Sequence, residues 1–316
     1  MTKKIRNLLI VLAIPVVIFL IFAAITPYMG LQSIKAIVSQ AMIPSTMGFG
    51  IAFCMEAGLF DLSAGVRVIL SSSIGVWMAV TLNWGIAGLI IGCIIGSILI
   101  GGIMGAAFNF FRIPSLVLSL CAVMLFEVLA YVFLGFKSMQ SITPAQAGFG
   151  KFPYNIIICV VCAVAFYFVY YRTKFAYNVR MIGEDEQLAK NMGINAKKIN
   201  LFSFIIGGVF LGIVSILYVC STNSIIAVSN MASLSMVFKP MMGVMIGVEL
   251  LGLVNNLALN ILIGELCISL IFNGLLAIGL PSTTQDVALG IFMIVVMAFS
   301  ANRAVLKKIF QKTKTL

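Results

Sequence analysis

The sequence predicts an all-α membrane protein of about ten transmembrane helices, and three observations carry the prediction. The chain of 316 residues is 62% hydrophobic and only 9% charged, with a mean hydropathy of +1.18. Soluble domains are roughly 45–50% apolar and about 25% charged. The apolar residues form continuous runs, many of roughly 18 residues or more, rather than alternating patterns. In lipid only helices and closed barrels satisfy their backbone, and continuous runs fit helices. Finally, most basic residues cluster at the flanks of these runs, a distribution typical of membrane topology rather than of a nucleic-acid surface, despite the net charge of +11.

The first run, 8–26, follows Lys3, Lys4 and Arg6. A basic stretch before an apolar one has the layout of a signal peptide, but this run is long for that and more follow, so a retained first helix is expected. The later runs are 41–56, 64–82, 86–108, 115–135, 154–171, 201–221, 237–248, 250–280 and 284–302. With both termini inside, 16 of the 20 basic residues fall on the cytoplasmic side, Arg67 and Arg112 among them. That orientation needs an even number of crossings.

Two segments do not read as plain spans. Met42–Gly65 contains Pro44, several glycines, Glu56 and Asp61, and Lys239–Asn256 contains Pro240, glycines, Glu249 and the pair Asn255-Asn256. Both are expected to be broken or re-entrant, which is tolerated only inside protein or beside a watery cavity. They also share Pro, Met-Gly (Met47-Gly48; Met242-Gly243), an Ile three residues on, and then Glu and Gly-Leu. Interrupted segments at matching places in two halves point to a transport site. An internal repeat and chance in a Gly/Met-rich chain both remain open. Gly101 and Gly105 form a GxxxG, expected to pack closely within the chain or across a dimer.

Several chemistries are excluded. The chain has no His, so the usual general base and the Ser-His and Cys-His triads are missing. The seven cysteines lie in apolar segments and read as small buried thiols rather than a metal or redox pair. No catalytic residue, metal site or cofactor is expected. No GxxxxGK[ST] occurs, so the sequence carries no phosphate-cradling loop of that kind.

The one long polar island, Met181–Ile199, is expected to lie in water. Glu184, Asp185 and Glu186 suit a first helical turn. Glu186 and Lys190 have i, i+4 spacing, and Gly193 suits a left-handed stop. A helix of about two and a half turns over Gly183–Gly193 is predicted, with Leu188 and Met192 on one face and Ala189 beside them. Such a helix is marginal alone and needs a surface. A solvated interfacial loop and a partner-docking helix both fit the pattern.

Four places carry a resemblance. Gly183, Glu186, Leu188-Ala189 and Gly193-Ile194 resemble the cytoplasmic coupling loop of ABC-transporter permeases, most closely the ribose/galactose-type sugar permeases of bacterial importers. Phe60-Asp61-Leu62-Ser63-Ala64-Gly65 resembles that family's I-D-L-S-V-G stretch, and Arg112-Ile113-Pro114 with Leu118 and Leu120 its R/K-I-P-P stretch. Arg172 to Gly193 followed by Phe204–Gly212 matches its order of loop and small-residue helix. The likeness runs from about residue 5 to 303. Departures are Glu56-Ala57-Gly58-Leu59-Phe60 before Asp61, and Met242–Gly252, with Glu249, in place of a Gly- and Ser/Thr-rich stretch.

The resemblance implies a single permease domain over 1–316 with a coupling loop at about 172–200, in the bacterial plasma membrane. It implies as partners ATP-binding-cassette ATPase subunits, an extracytoplasmic substrate-binding protein and a second permease copy, identical or not. It implies coupling residues Gly183, Glu184, Glu186, Leu188, Ala189, Met192 and Gly193, and import of a small polar solute, a monosaccharide foremost. Pathway candidates are Asp61, Ser63, Asn255, Asn256 and Asn273, because a sugar needs donors and acceptors as its hydroxyls lose water. Asp61 and Ser63 also suit a helix cap, with Arg67 near enough to pair with Asp61. The alternative is a proton-coupled secondary transporter using Glu127, Glu249 or Glu265. An intramembrane enzyme is disfavoured, since no His and no metal-ligand cluster is present.

Overall fold

The computed structural model describes residues 3–26, 28–111, 113–137, 139–142 and 148–281, with a few positions between 284 and 295. Arg112, most of the tenth expected span (284–302) and the basic run 303–314 lie outside them. The helices are α1 (Lys3–Ile25), α2 (Leu31–Glu56), α3 (Ala64–Val80), α4 (Gly85–Phe111), α5 (Ser115–Phe133), α6 (Tyr154–Arg172), α7 (Lys174–Glu184), α8 (Glu186–Asn191), α9 (Ala196–Thr222), α10 (Ser235–Leu250) and α11 (Leu257–Ala277). Among the described residues eight helices are long and apolar enough to cross a membrane, and α3 is a shorter apolar helix. The only strands among them, β1 (Met139–Ser141) and β2 (Ser224–Ile226), pair antiparallel with Gln140 opposite Ile225. This small two-stranded ribbon, whose strands are separated in the chain by α6 to α9, lies at the end of the bundle opposite α7 and α8.

The prolines do not break their helices. α2 runs unbroken through Pro44 and α10 through Pro240. Beside Pro44, the Ser45 and Thr46 hydroxyls donate to the Ala41 and Met42 carbonyls at 2.7 and 2.9 Å, a local adjustment that lets a helix absorb a proline. The irregular backbone lies elsewhere, in 57–63 between α2 and α3 and in 227–234 between β2 and α10. These two stretches meet: a Cβ on Gly65 would sit 2.3 Å from the Ser233 carbonyl oxygen. Glu127 of α5 anchors the second stretch, accepting from the Met231 and Ser233 amides, both at 3.0 Å, and from the Ser233 hydroxyl at 2.7 Å.

The bundle is closed by small residues. α4 and α9 run antiparallel in close contact: a Cβ on Gly101 would lie 2.5 Å from the Phe204 carbonyl oxygen, and one on Gly105 3.0 Å from Leu201 Cα. The GxxxG therefore serves packing within the chain. Between lipid-facing helices the hydrophobic effect gives little attraction, so such close approach and buried hydrogen bonds hold the bundle. Phe49, Phe53, Phe166, Tyr170 and Phe210 form an aromatic knot joining α2, α6 and α9, with Phe49 and Phe166 stacked at 5.1 Å. On the opposite face of α4, Ile91, Ile95, Leu99 and Ile103 are exposed at i, i+4 spacing, a stripe suited to lipid.

Candidate functional site

The polar island forms two helices rather than one. α7 ends at Glu184, so Gly183 and Glu184 finish one helix instead of opening the next. Asp185 is the N-cap of α8, its carboxylate accepting from the Gln187 and Leu188 amides at 2.9 Å each. Capping by Asp competes with continuing the helix, which is why the chain breaks there. The Glu186–Lys190 pair forms at 2.7 Å, and Gly193 takes φ +83°. Leu188 and Met192 are 52% and 60% exposed, but Ala189 does not stand with them. It is fully buried against Ile182 and Ala196, fastening α8 to α7 and α9. Leu188 and Met192 are therefore the apolar knob.

α7 is tied to the bundle through Gly183. A Cβ there would fall 1.8 Å from the Glu56 carbonyl oxygen, so the helix seats directly on the end of α2. Beside this contact opens a cleft of about 470 Å³, lined by Glu56, Tyr170, Tyr171, Arg180, Glu184, Glu249 and Asn255 among others. The Tyr170 hydroxyl is within hydrogen-bonding reach of the Glu56 carboxylate. Arg180 lies 4.9 Å from the Tyr170 ring centroid. The Tyr171 hydroxyl accepts from the Leu257 amide at 2.9 Å, pinning the start of α11 to α6. Tyr170, Tyr171 and Arg180 escaped the sequence reading. The signal available was an Arg among aromatics at the edge of a span.

A second cavity, about 480 Å³, lies toward the ribbon end between the N-terminal halves of α2 and α10 and the ends of α6 and α9. Ser39, Gln40, Asn155, Tyr218 and Lys239 supply its polar groups. α2 and α10 run in the same direction, so both cavities lie along one helix pair. Between them the pair closes at Gly48, whose Cβ would lie 3.1 Å from Ile261 and 3.3 Å from Val244.

The pathway candidates are not gathered in one place. Asp61 is buried, accepting from the Ser63 amide and hydroxyl and from Arg67 Nη1 at 2.9 Å. Arg67 Nη2 donates to the Phe204 carbonyl at 2.9 Å. Phe111 ends α4 about ten residues beyond Gly101, the residue facing this group, so Arg67 lies about 15 Å inside the bundle. It is an internal brace and not a surface flank, and its charge does not bear on orientation. Asn255 is exposed at the first cleft, and Asn256 caps α11, accepting from the Leu259 amide at 3.3 Å. Asn273 lies at the other end of α11, donating to Gln40 Oε1 at 3.0 Å. Some 17 residues of helix separate Asn256 from Asn273, about 25 Å.

A family described as the permease component of branched-chain amino acid transport systems matches residues 33–297. The chain belongs to this permease family. Among curated relatives, the permease is 22% identical over 292 residues to the galactofuranose transporter permease protein YtfT of Escherichia coli K12, covering 88% of this chain and 83% of that one. It is 24% identical over 287 residues to the autoinducer 2 import system permease protein LsrC of Yersinia enterocolitica, covering 86% and 76%. It is 28% identical over 151 residues to the probable ABC transporter permease protein YphD of E. coli K12, spanning 48% of this chain and under half, 44%, of that relative. No solved structure matches the permease. The permease family is one of transporter subunits, not enzymes. Among the described residues no His/Cys/Asp/Glu group forms a metal cluster.

Proposed function

We propose that this chain is the membrane subunit of an ATP-driven importer that moves a small polar solute, a monosaccharide foremost, through a path along α2 and α10. The observation that carries the reading is that α7, which bears α8, also forms a wall of the cleft at the ends of α2 and α10. Arg180, Gly183 and Glu184 belong to both. A load on Leu188 and Met192 is thus delivered to the pathway through the Gly183–Glu56 seat rather than through a flexible loop. The end carrying α8 faces the cytoplasm, with six basic residues between Arg172 and Lys198. An ATPase pair grips α8 there, while a binding protein delivers solute at the ribbon end. A second permease copy completes the assembly. The bundle crosses the bilayer ten times, and the stretches 57–63 and 227–234 are its re-entrant breaks. Relatives named for galactofuranose transport and for autoinducer 2 import support the reading of a small polar solute.

The test is a reconstituted complex with its ATPase and binding protein. Leu188→Asp puts a charge on the knob without disturbing buried packing. ATP-driven uptake should fall to background while the permease still inserts. Crosslinkers at positions 188 and 192 should reach the ATPase, and one at the buried position 189 should not. Normal coupled uptake by the Leu188→Asp complex would sink the proposal.

A further inference from the structure

We propose that the cavity toward the ribbon end is the solute chamber, that Lys239 is its contacting cation, and that Glu265 is a positioning carboxylate behind it; this rests on the transport reading above. Among the described residues lining the cavity, Lys239 bears the only charge. A lysine within an apolar helix is expensive and calls for a reason. Its ammonium has no hydrogen-bond acceptor among the described residues and lies 5.4 Å from the Phe272 ring centroid, leaving its donors for a ligand.

Behind it, on α11, Glu265 is fully buried and neither carboxylate oxygen has a hydrogen-bond partner. The carboxylate occupies the space left by Gly243 of α10, where a Cβ would lie 2.1 Å from Oε1. Gly243 stands one turn after Lys239 on α10, which brings the Lys239 ammonium near this carboxylate without an ion-pair contact among the described residues. A buried carboxylate ionises only with a cation nearby, and in this proposal Glu265 balances Lys239 from behind the chamber wall without touching it. The neighbouring polar groups are already set. Asn273 holds Gln40 by its oxygen, and Asn155 donates to Ser39 Oγ at 2.6 Å. A net-neutral wall of oriented donors fits a neutral polyhydroxylated solute better than an anion, and the volume suits a small molecule.

The test uses the complete complex with ATPase and binding protein, in membranes. Lys239→Cys should react from outside with a membrane-impermeant methanethiosulfonate, above the level of the unsubstituted chain, and Glu265→Cys should not. With D-ribose, D-galactose and D-galacturonate as probes, Glu265→Gln should raise the uptake KM for whichever neutral sugar is carried by about tenfold, with maximal ATP hydrolysis within about twofold. It should also weaken discrimination against galacturonate. An unreactive Lys239→Cys overturns the proposal. So does a Glu265→Gln that lowers maximal uptake and protein yield together at unchanged KM, the mark of a purely structural carboxylate. So does wild-type uptake that stops when the proton gradient is dissipated but ATP is kept, which would make Glu265 a proton carrier. Failure of the transport reading looks different: Leu188→Asp would leave uptake coupled, whatever Lys239→Cys does.

Discussion

At the scale of single residues, the buried charges of Asp61 and Arg67 are bound into the structure of the bundle. Asp61 spends its oxygens on Ser63 and Arg67, and Arg67 spends a nitrogen on the Phe204 carbonyl. Breaking such a buried pair from one side leaves an uncompensated charge, at a cost of about 3–5 kcal/mol. Asp61→Asn should therefore sharply reduce monodisperse protein in detergent size-exclusion profiles, and Asp61→Asn with Arg67→Gln should recover part of it. Equal yields for the single and double variants would show that the pair is not what braces α3. Gly183 is the other sensitive position, because any side chain meets the Glu56 carbonyl. Gly183→Val should leave insertion unchanged but loosen α7, read as faster amide exchange over 174–184.

At the scale of elements, the α8 turn depends on its two ends. Asp185 starts it and Gly193 stops it, the Gly193 amide donating to the Lys190 carbonyl at 2.9 Å. Gly193→Ala forces a side chain into the left-handed region, costing about 1 kcal/mol. Gly193→Pro is harsher, since proline fixes φ near about −65° and has no amide to donate. Membrane insertion should survive in both, while uptake per ATP hydrolysed falls modestly in Gly193→Ala and to background in Gly193→Pro. Coupled uptake by Gly193→Pro would mean that α8 need not keep its shape. The irregular stretch 227–234 has its own fastener in Glu127, whose two oxygens take three donors. That leaves Glu127 ill-suited to carry protons.

At the scale of the whole molecule, two polar cavities share one helix pair and are separated by a tight seam at Gly48. A path so arranged must open at one end at a time. Met55→Cys with Val248→Cys, bridged by a short bifunctional thiol reagent across the cleft beside α7, should stop uptake and leave the proposed chamber at Lys239 accessible from outside. Continued uptake after full bridging would place the route elsewhere.

Much of this was legible along the chain. Long apolar runs, flanking bases, the Glu186–Lys190 pair and the Gly193 stop are local patterns, and local patterns survive folding. The meeting of Gly65 with Ser233, the burial of Ala189 and the seating of Glu265 against Gly243 are not local, because each joins residues from different elements. The sequence alone determined that the solvent is lipid, that the elements are helices, and that a polar island interrupts them, since hydropathy and period act over a single turn or span. Only the tertiary structure decided where α7 seats, which charges are braces, and which cavities line up. Those outcomes depend on close approach between distant glycines and carbonyls, a steric matter that no one-dimensional pattern records.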